Sequence, residues 1–256
     1  ESLAMWPSKY NKGGAKILDY FAVAGVPGVY NKETGQLIAG YWKQKVAKGD
    51  PAFSVSVNYV ADDGEGNNSD STAGGFMTDN SRGNVLAQLG WGNSQYGAAF
   101  AYRHGQCRSG MRRSTQFVAD GNFNLNCQAG DDSRSSNSYA LNAYWQPEEA
   151  GFIPSISVGW AINNIAGDNI VDGTYTTSQS WFTGLRWADV FLKGNDLGFA
   201  FGQPTFATAL KGGDTPFDGN YAFELYYNFQ VTDNIAITPA LFYLSRPLGQ
   251  NTQALE

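Results

Sequence analysis

The feature that most constrains the fold of this chain is a two-residue alternation between apolar and polar side chains, repeated along most of its length. Successive side chains of a β-strand point to opposite faces, so every second residue shares a face. Between Phe53 and Tyr59, the odd positions are apolar and the even positions are serine or asparagine. The same pattern predicts strands at Val85–Trp91, Tyr96–Tyr102, Tyr139–Trp145, Ile156–Ile162, Trp181–Trp187, Leu197–Phe201, Tyr221–Phe229 and Ile235–Tyr243, with shorter matches at Ile38–Val46 and Lys16–Ala22.

An alternating sheet can bury its apolar face in a soluble β-sandwich or turn it toward lipid in a membrane barrel. Composition favours the barrel, because charged residues make up only 16% of the chain, far below the roughly 25% typical of soluble domains. No stretch approaches the ~18 to 20 consecutive apolar residues that a spanning helix needs, which excludes a helical membrane protein. The mean hydropathy of −0.34 fits strands with one lipid-facing and one water-facing side.

The positions of the aromatic residues and the lengths of the connections support the same conclusion. Tyrosine and tryptophan cluster at or near the predicted strand ends, where amphipathic rings form girdles at the two membrane interfaces. The short or middling connections are 47–52, 92–95, 146–155, 188–196 and 230–234, and the long ones are 60–84, 103–138, 163–180 and 202–220. Because short and long alternate, all long loops share one end of a meander. We therefore predict an all-β fold, a transmembrane antiparallel up-and-down β-barrel.

Pro239 needs a separate explanation, since it lies on the apolar face of the last predicted strand. Proline has no N–H to donate to the ladder and is usually found at an edge or a bulge. The sequence leaves two explanations open, a local bulge or a strand whose neighbour is missing.

Two segments resemble a known family. They are Ala188 to Pro204 (ADVFLKGNDLGFAFGQP) and Tyr221 to Pro247 (YAFELYYNFQVTDNIAITPALFYLSRP). The second combines a strand, the VTDN turn and another strand that ends near a proline. Both are similar to the C-terminal barrel portion of carbohydrate-selective porins, and most of all to the cyanobacterial branch called iron-uptake porins. The resemblance covers about the last third of the chain, with a weaker likeness at Val85 to His104.

The resemblance implies a single-chain barrel of the roughly 16-stranded type, often trimeric, that passes small ions and polar solutes through the bacterial outer membrane. Cyanobacterial members usually add a surface-layer-homology domain and a coiled coil, and neither is visible in this sequence. Glu1 to Tyr10 has no apolar run of the kind found in signal peptides, and the chain stops at Glu256 without the family's closing aromatic strand. We expect residues 1–256 to form a single barrel domain whose terminal strands are missing here.

If the apolar face meets lipid, the opposite face lines the lumen, and its residues are mostly serine, asparagine and glycine. Rings of fixed charge in such a wall bias ion entry, and basic residues favour anions. The charged residues predicted to line the pore and set its selectivity are Lys43, Lys45, Arg103, Arg186 and Glu224. The alternative is that Arg186 and Glu224 merely pair with each other or with neighbours across strands.

The long connection from Arg103 to Ser138 is a candidate constriction loop. It holds Arg108, Arg112, Arg113 and Arg134 beside two cysteines. In an oxidising compartment a Cys107–Cys127 disulfide would close this loop, worth roughly 3 kcal/mol, whereas the alternative is two unpaired thiols. Folded into the mouth, the loop would select anions. At the surface, it would instead bind lipopolysaccharide phosphates or shield the barrel.

Other functional classes find little support in the sequence. His104 is the single histidine, and no Ser-His-Asp grouping, metal-ligand cluster or phosphate-binding glycine loop accompanies it. We therefore expect neither catalysis, nor a metal, nor a cofactor. A net charge of −6 without a basic tract argues against nucleic acid as a partner. Besides the porin, two hypotheses stay open: a soluble sugar-binding β-sandwich, and a closed barrel that acts as a membrane anchor or adhesin.

Overall fold

A computed structural model describes residues 11, 13, 17–30, 35–61, 77, 83–106, 113–124, 135–167, 170–246 and 249, with side chains omitted at 22, 24 and 121–124. Within these residues, eleven strands form one antiparallel sheet. The strands are β1 (Gln36–Lys43), β2 (Ala52–Ala61), β3 (Gly83–Gly92), β4 (Tyr96–Gln106), β5 (Ser135–Trp145), β6 (Ser155–Ala166), β7 (Tyr175–Ala188), β8 (Asp196–Leu210), β9 (Ala222–Thr232), β10 (Ile235–Ile237) and β11 (Ala240–Leu244). A 3₁₀ helix spans Asp19–Gly25, and helix α1 spans Gln116–Asn124.

The sheet is an up-and-down meander, as predicted. From β1 to β9 each strand pairs antiparallel with the next, and β10 and β11 both pair with β9. Among the described strands the sheet does not close, because β1 pairs with β2 alone and the β10–β11 side pairs with β9 alone. No helix in the described part of the chain is long and apolar enough to cross a bilayer.

The prediction of a strand at Lys16–Ala22 is wrong. From Asp19 onward the predicted range belongs to a 3₁₀ helix, Asp19–Gly25, and Lys16 lies outside the described residues. The run from Tyr20 to Ala24 is apolar or aromatic throughout and lacks the polar alternate positions that a half-exposed strand needs. It lies on a face of the sheet instead of extending the sheet at an edge.

The two predicted faces of the sheet are confirmed in β2 to β8, whereas β1 and β10 are exposed on both faces. In β2 the serines at 54 and 56 are buried, while Phe53, Val55 and Val57 between them are exposed. In β5, Leu141 is 52% exposed and Ser138 is fully buried. The apolar set thus points away from the molecule and the small polar set points inward. Aromatic neighbours follow both borders of this outer apolar belt, as in Trp91 beside Tyr96 at 5.5 Å between ring centroids and Tyr102 beside Tyr139 at 5.2 Å.

The connections alternate between the two ends of the sheet, which we call the loop end and the turn end. The loop end has connections 62–82, 107–134, 167–174 and 211–221, and the turn end has 44–51, 93–95, 146–154, 189–195 and 233–234. Two predicted long loops, 163–180 and 202–220, are shorter than expected because β6, β7 and β8 continue past their apolar parts.

Strand β8 contains a bulge opposite β7. Gln179 pairs with Phe206 and Trp181 pairs with Gln203, so Pro204 and Thr205 together oppose the single residue Ser180. Pro204 is tolerated at this bulge.

Pro239 lies between β10 and β11, and the register continues across it. Ile237 pairs with Phe229 and Ala240 with Tyr226, so no residue is inserted at the proline. The irregularity falls earlier, between Ile235 and Ala236. The Pro239 carbonyl accepts the Tyr227 N–H at 3.1 Å. Of the two explanations, an edge position among the described strands fits, and a bulge at Pro239 itself does not.

Candidate pore interior

Residues 17–30 cross the inner face of the sheet, and we call this segment the strap. Phe21 packs against Phe182, Ala200 and Ala222 in one buried cluster. The far end of the strap lies in a second cluster, formed by Val26, Val29, Tyr30, Leu86, Ala101, Ala140 and Ala161. The strap therefore runs at mid-height from β9 to β3. Burial raises the pKa of the Tyr30 hydroxyl.

Glu224 anchors the first part of the strap. Its side chain is 1% exposed, and one carboxylate oxygen accepts the backbone N–H of Ile17 at 3.1 Å. The other oxygen accepts the N–H of Leu18. A charged acceptor makes a stronger hydrogen bond than a neutral one. Here the carboxylate satisfies two backbone N–H groups that are not paired in a strand. Glu224 thus lies on the predicted inner face, but beneath the strap.

Arg103 anchors the other end of the strap. Its side chain is 2% exposed, and its Nη1 donates to the carbonyl of Gly28 at 3.2 Å. Its Nε donates to Oδ1 of Asn84 at 3.1 Å, which ties β4 to β3. The fork geometry of a guanidinium suits this double role. Arg103, like Glu224, holds a segment of the chain against the wall.

Two glycines allow the strap and the residues just before it to approach the wall closely. At Gly25 the backbone has a φ of 72°, and an added Cβ would overlap the side chain of Phe182. At Gly184 on β7, an added Cβ would overlap the carbonyl oxygen of Gly13. Small and polar residues on an inner wall are compatible with water against it. Where the strap crosses, they make room for a second layer of chain.

We expect Arg103→Met to lower the free energy of unfolding by about 1.5–3 kcal/mol, since it leaves the Asn84 amide oxygen and the Gly28 carbonyl without a charged donor. Denaturant titration of the folded protein in detergent measures the change. Lys211→Met, at an exposed site in the 211–221 loop, is the matched control and should leave stability unchanged. A loss of the same size in both variants would contradict the anchoring role of Arg103.

Arg186 pairs with Asp196 near the turn end, and the distance between Nη2 and Oδ1 is 2.6 Å. Both side chains are largely buried, at 21% and 10% exposure. The structure therefore fits the alternative in which Arg186 pairs with a neighbour across strands. The partner is Asp196 and not Glu224.

Lys43 lies on the inner face of β1, and Lys45 lies in the turn that follows. Both are exposed.

Part of the predicted constriction loop folds back onto the inner face at the loop end. Thr115 donates its N–H to the carbonyl of Thr205 at 2.8 Å, and Thr205 donates to the carbonyl of Arg113 at 3.3 Å. The bulge at Pro204 and Thr205 frees these backbone groups from the β7 ladder. Helix α1 follows directly, and its Val118 packs with Ile165, Tyr175 and Ala207 on the wall.

Asp218 holds this fold-back in place and was missed in the sequence analysis. Its carboxylate is 1% exposed. One oxygen accepts the Thr115 hydroxyl at 2.6 Å and the Ala207 N–H at 2.8 Å. No local pattern marks Asp218 as different from the other acidic loop residues, because its partners come from two distant parts of the chain.

The strap and the folded-back loop meet at an ion pair. Nε of Arg113 lies 2.5 Å from Oδ2 of Asp19. The Arg113 side chain is 14% exposed and the Asp19 side chain is 72% exposed. The other predicted members of the constriction loop, Arg108, Arg112, Arg134 and the Cys107–Cys127 pair, lie outside the described residues. In the part of the chain that the structure covers, no group of His, Cys, Asp or Glu side chains is arranged to hold a metal.

Comparison with known families identifies the chain's lineage. The family model described as "Carbohydrate-selective porin, OprB family" matches residues 18–254. The chain belongs to this family. In this OprB-family chain the match begins at the second residue of the strap, so residues 18–30 fall inside the region that the family model covers.

Two curated relatives of this OprB-family chain are uncharacterized proteins. One, from Synechocystis sp., is 26% identical over 226 residues, which cover 80% of this chain and 39% of the relative. The other, from Nostoc sp., is 28% identical over 208 residues, which cover 78% of this chain and 34% of the relative. The chain thus spans little more than a third of the length of these relatives.

Proposed function

We propose that the protein is an outer-membrane porin through which small hydrophilic solutes, including sugars and inorganic ions, pass by passive diffusion. The observation that supports this best is the division of the sheet into two faces. One face presents aromatic and aliphatic side chains outward without a charged neighbour along the belt, and the other holds serine, asparagine and glycine. A wall of this kind is stable where lipid lies on one side and water on the other.

Family membership supports the same proposal. A porin of the carbohydrate-selective family belongs in the outer membrane and acts as a channel and not as an enzyme. We extend this to sugars as one solute class and to small ions as another. Among the predicted pore-lining residues, Lys43 and Lys45 are exposed to passing solutes, and Arg186 keeps partial exposure beside Asp196.

The β-sandwich hypothesis fits the structure less well. A sandwich core would pack the apolar faces of two sheets against each other. Here the belt residues of the described strands are exposed, as shown by Phe100 at 44% and Leu141 at 52%. In water, an exposed apolar surface of this extent would cause aggregation.

The anchor hypothesis gains one argument, since the strap and α1 both cover parts of the inner wall. A barrel filled by such segments can still conduct through the space they leave, or it can be closed. We propose that the barrel conducts and that it forms a homotrimer. Membrane lipid would surround the outer apolar belt, and lipopolysaccharide would bind at the loop end. Phosphate groups of that lipid suit the arginines of the 103–138 connection.

The decisive experiment is the conductance of the full-length protein in planar bilayers, together with swelling of liposomes in sugars of increasing size. We expect discrete conductance steps and faster swelling with monosaccharides than with larger sugars. Detergent extracts without the protein control for leakage. A correctly folded protein that inserts but gives neither steps nor swelling would favour the anchor hypothesis over ours.

A further inference from the structure

We propose that the Asp19–Arg113 pair forms the constriction of the pore, and that the exposed carboxylate of Asp19 attracts cations there. The proposal rests on the porin function proposed above. It differs from the sequence-based expectation, which assigned selectivity for anions to arginines of the wall and of the long loop.

The position of the pair is the first argument. Asp19 begins the 3₁₀ helix of the strap, and Arg113 directly precedes the backbone bridge between Ser114 and Thr205. One residue thus comes from the layer that crosses the wall at mid-height, and the other from the loop folded inward from the loop end. Where two inserted segments meet, the remaining space is narrower than beside either one alone.

The rigidity of the two supports is the second argument. The strap is held next to Asp19 by the two bonds from Glu224 to Ile17 and Leu18. Arg113 is held by its carbonyl, which accepts from Thr205, and by the bonds of Asp218 to Thr115 and Ala207. A pair between two fixed backbones stays formed more of the time than one between two mobile loops, because less side-chain and loop entropy is lost.

The unequal exposure of the partners is the third argument. The Arg113 side chain is 14% exposed, whereas the Asp19 side chain is 72% exposed. The carboxylate is therefore the more accessible member of the pair to a passing ion. Arg103 is buried under the strap and Arg186 is paired with Asp196, so these two arginines of the wall offset the carboxylate only weakly.

The test is the reversal potential of the full-length protein under a potassium chloride gradient, for Asp19→Asn. A unit charge about 7 Å from the ion path changes the local concentration of a monovalent ion about threefold in water. Loss of the charge lowers the local potassium concentration and raises that of chloride, so we expect the ratio of potassium to chloride permeability to fall about seven- to ninefold. Asp214→Asn removes an equally exposed carboxylate from the 211–221 loop and should leave the ratio unchanged.

A charge swap separates the role of the pair from that of a single charge. Asp19→Arg combined with Arg113→Asp keeps the bridge but places the cation on the exposed side. We expect conductance close to wild type with selectivity moved toward chloride, whereas Arg113→Gln alone should raise both the conductance and the preference for potassium. The same ratio in wild type, Asp19→Asn and the swap would overturn the proposal. Wild-type protein without conductance would instead overturn the porin function itself.

Discussion

Leu141→Arg is expected to prevent stable insertion of the barrel, at a cost of about 2–4 kcal/mol for a cation at the bilayer midplane. Leu141 is the middle residue of the outer face of β5, between Tyr139 and Ala143, and it is 52% exposed. An arginine there would face acyl chains with no water or partner in reach. Folding into lipid vesicles, followed by the mobility shift of the unheated protein on electrophoresis, measures the fraction inserted.

The matched control for this variant is Val171→Arg. Val171 is 71% exposed but lies in the connection between β6 and β7, at the loop end, where water replaces lipid. We expect its insertion to equal that of the wild type. Equal insertion of both arginine variants would show that the outer belt does not face lipid, and the porin proposal would fail with it.

Phe182→Ala is expected to lower the free energy of unfolding by about 3–5 kcal/mol, the usual range for a buried phenylalanine. Phe182 lies on the inner face of β7, is 1% exposed, and its ring centroid is 5.2 Å from that of Phe21 in the strap. The cavity left by the truncation removes the main apolar contact of this part of the strap. We therefore also expect a larger and noisier single-channel conductance, since the strap is then less firmly held.

Phe199→Ala is the matched control, because Phe199 lies on the neighbouring strand with its ring on the outer, partly exposed face. It should cost less stability and leave the conductance at the wild-type value. If the two variants change conductance equally, the strap does not occupy the pore.

The alternation of residues predicted the order of the strands and both faces of the sheet, although it also predicted a strand at Lys16–Ala22 where the chain forms a 3₁₀ helix. It succeeded because the face on which a side chain lies, as for Val55 or Leu141, depends only on the two-residue period of its own strand. Strand ends were less well predicted. Strands β7 and β8 continue beyond the outer apolar belt. Their outward-facing residues are no longer apolar there, so the alternation that marks a strand in the sequence is lost.

The interior could not be predicted in the same way. Glycine and alanine on an inner wall are compatible both with water and with a packed segment, and the sequence does not distinguish them. Arg103 and Glu224 bind backbone groups 75 and 207 residues away, and Asp218 binds Thr115 103 residues away. A backbone group is the same in every residue, so the sequence does not mark it as a partner. The strap itself has no periodicity to reveal it, since its shape follows the wall it lies on.

The contact between Ile17 and Glu224 joins positions 207 residues apart, and it lies inside the wall formed by the strands between them. Such non-local pairing slows folding. The bonds that fix the beginning of the strap can form only once the chain extends as far as β9, although the strap precedes every strand of the sheet.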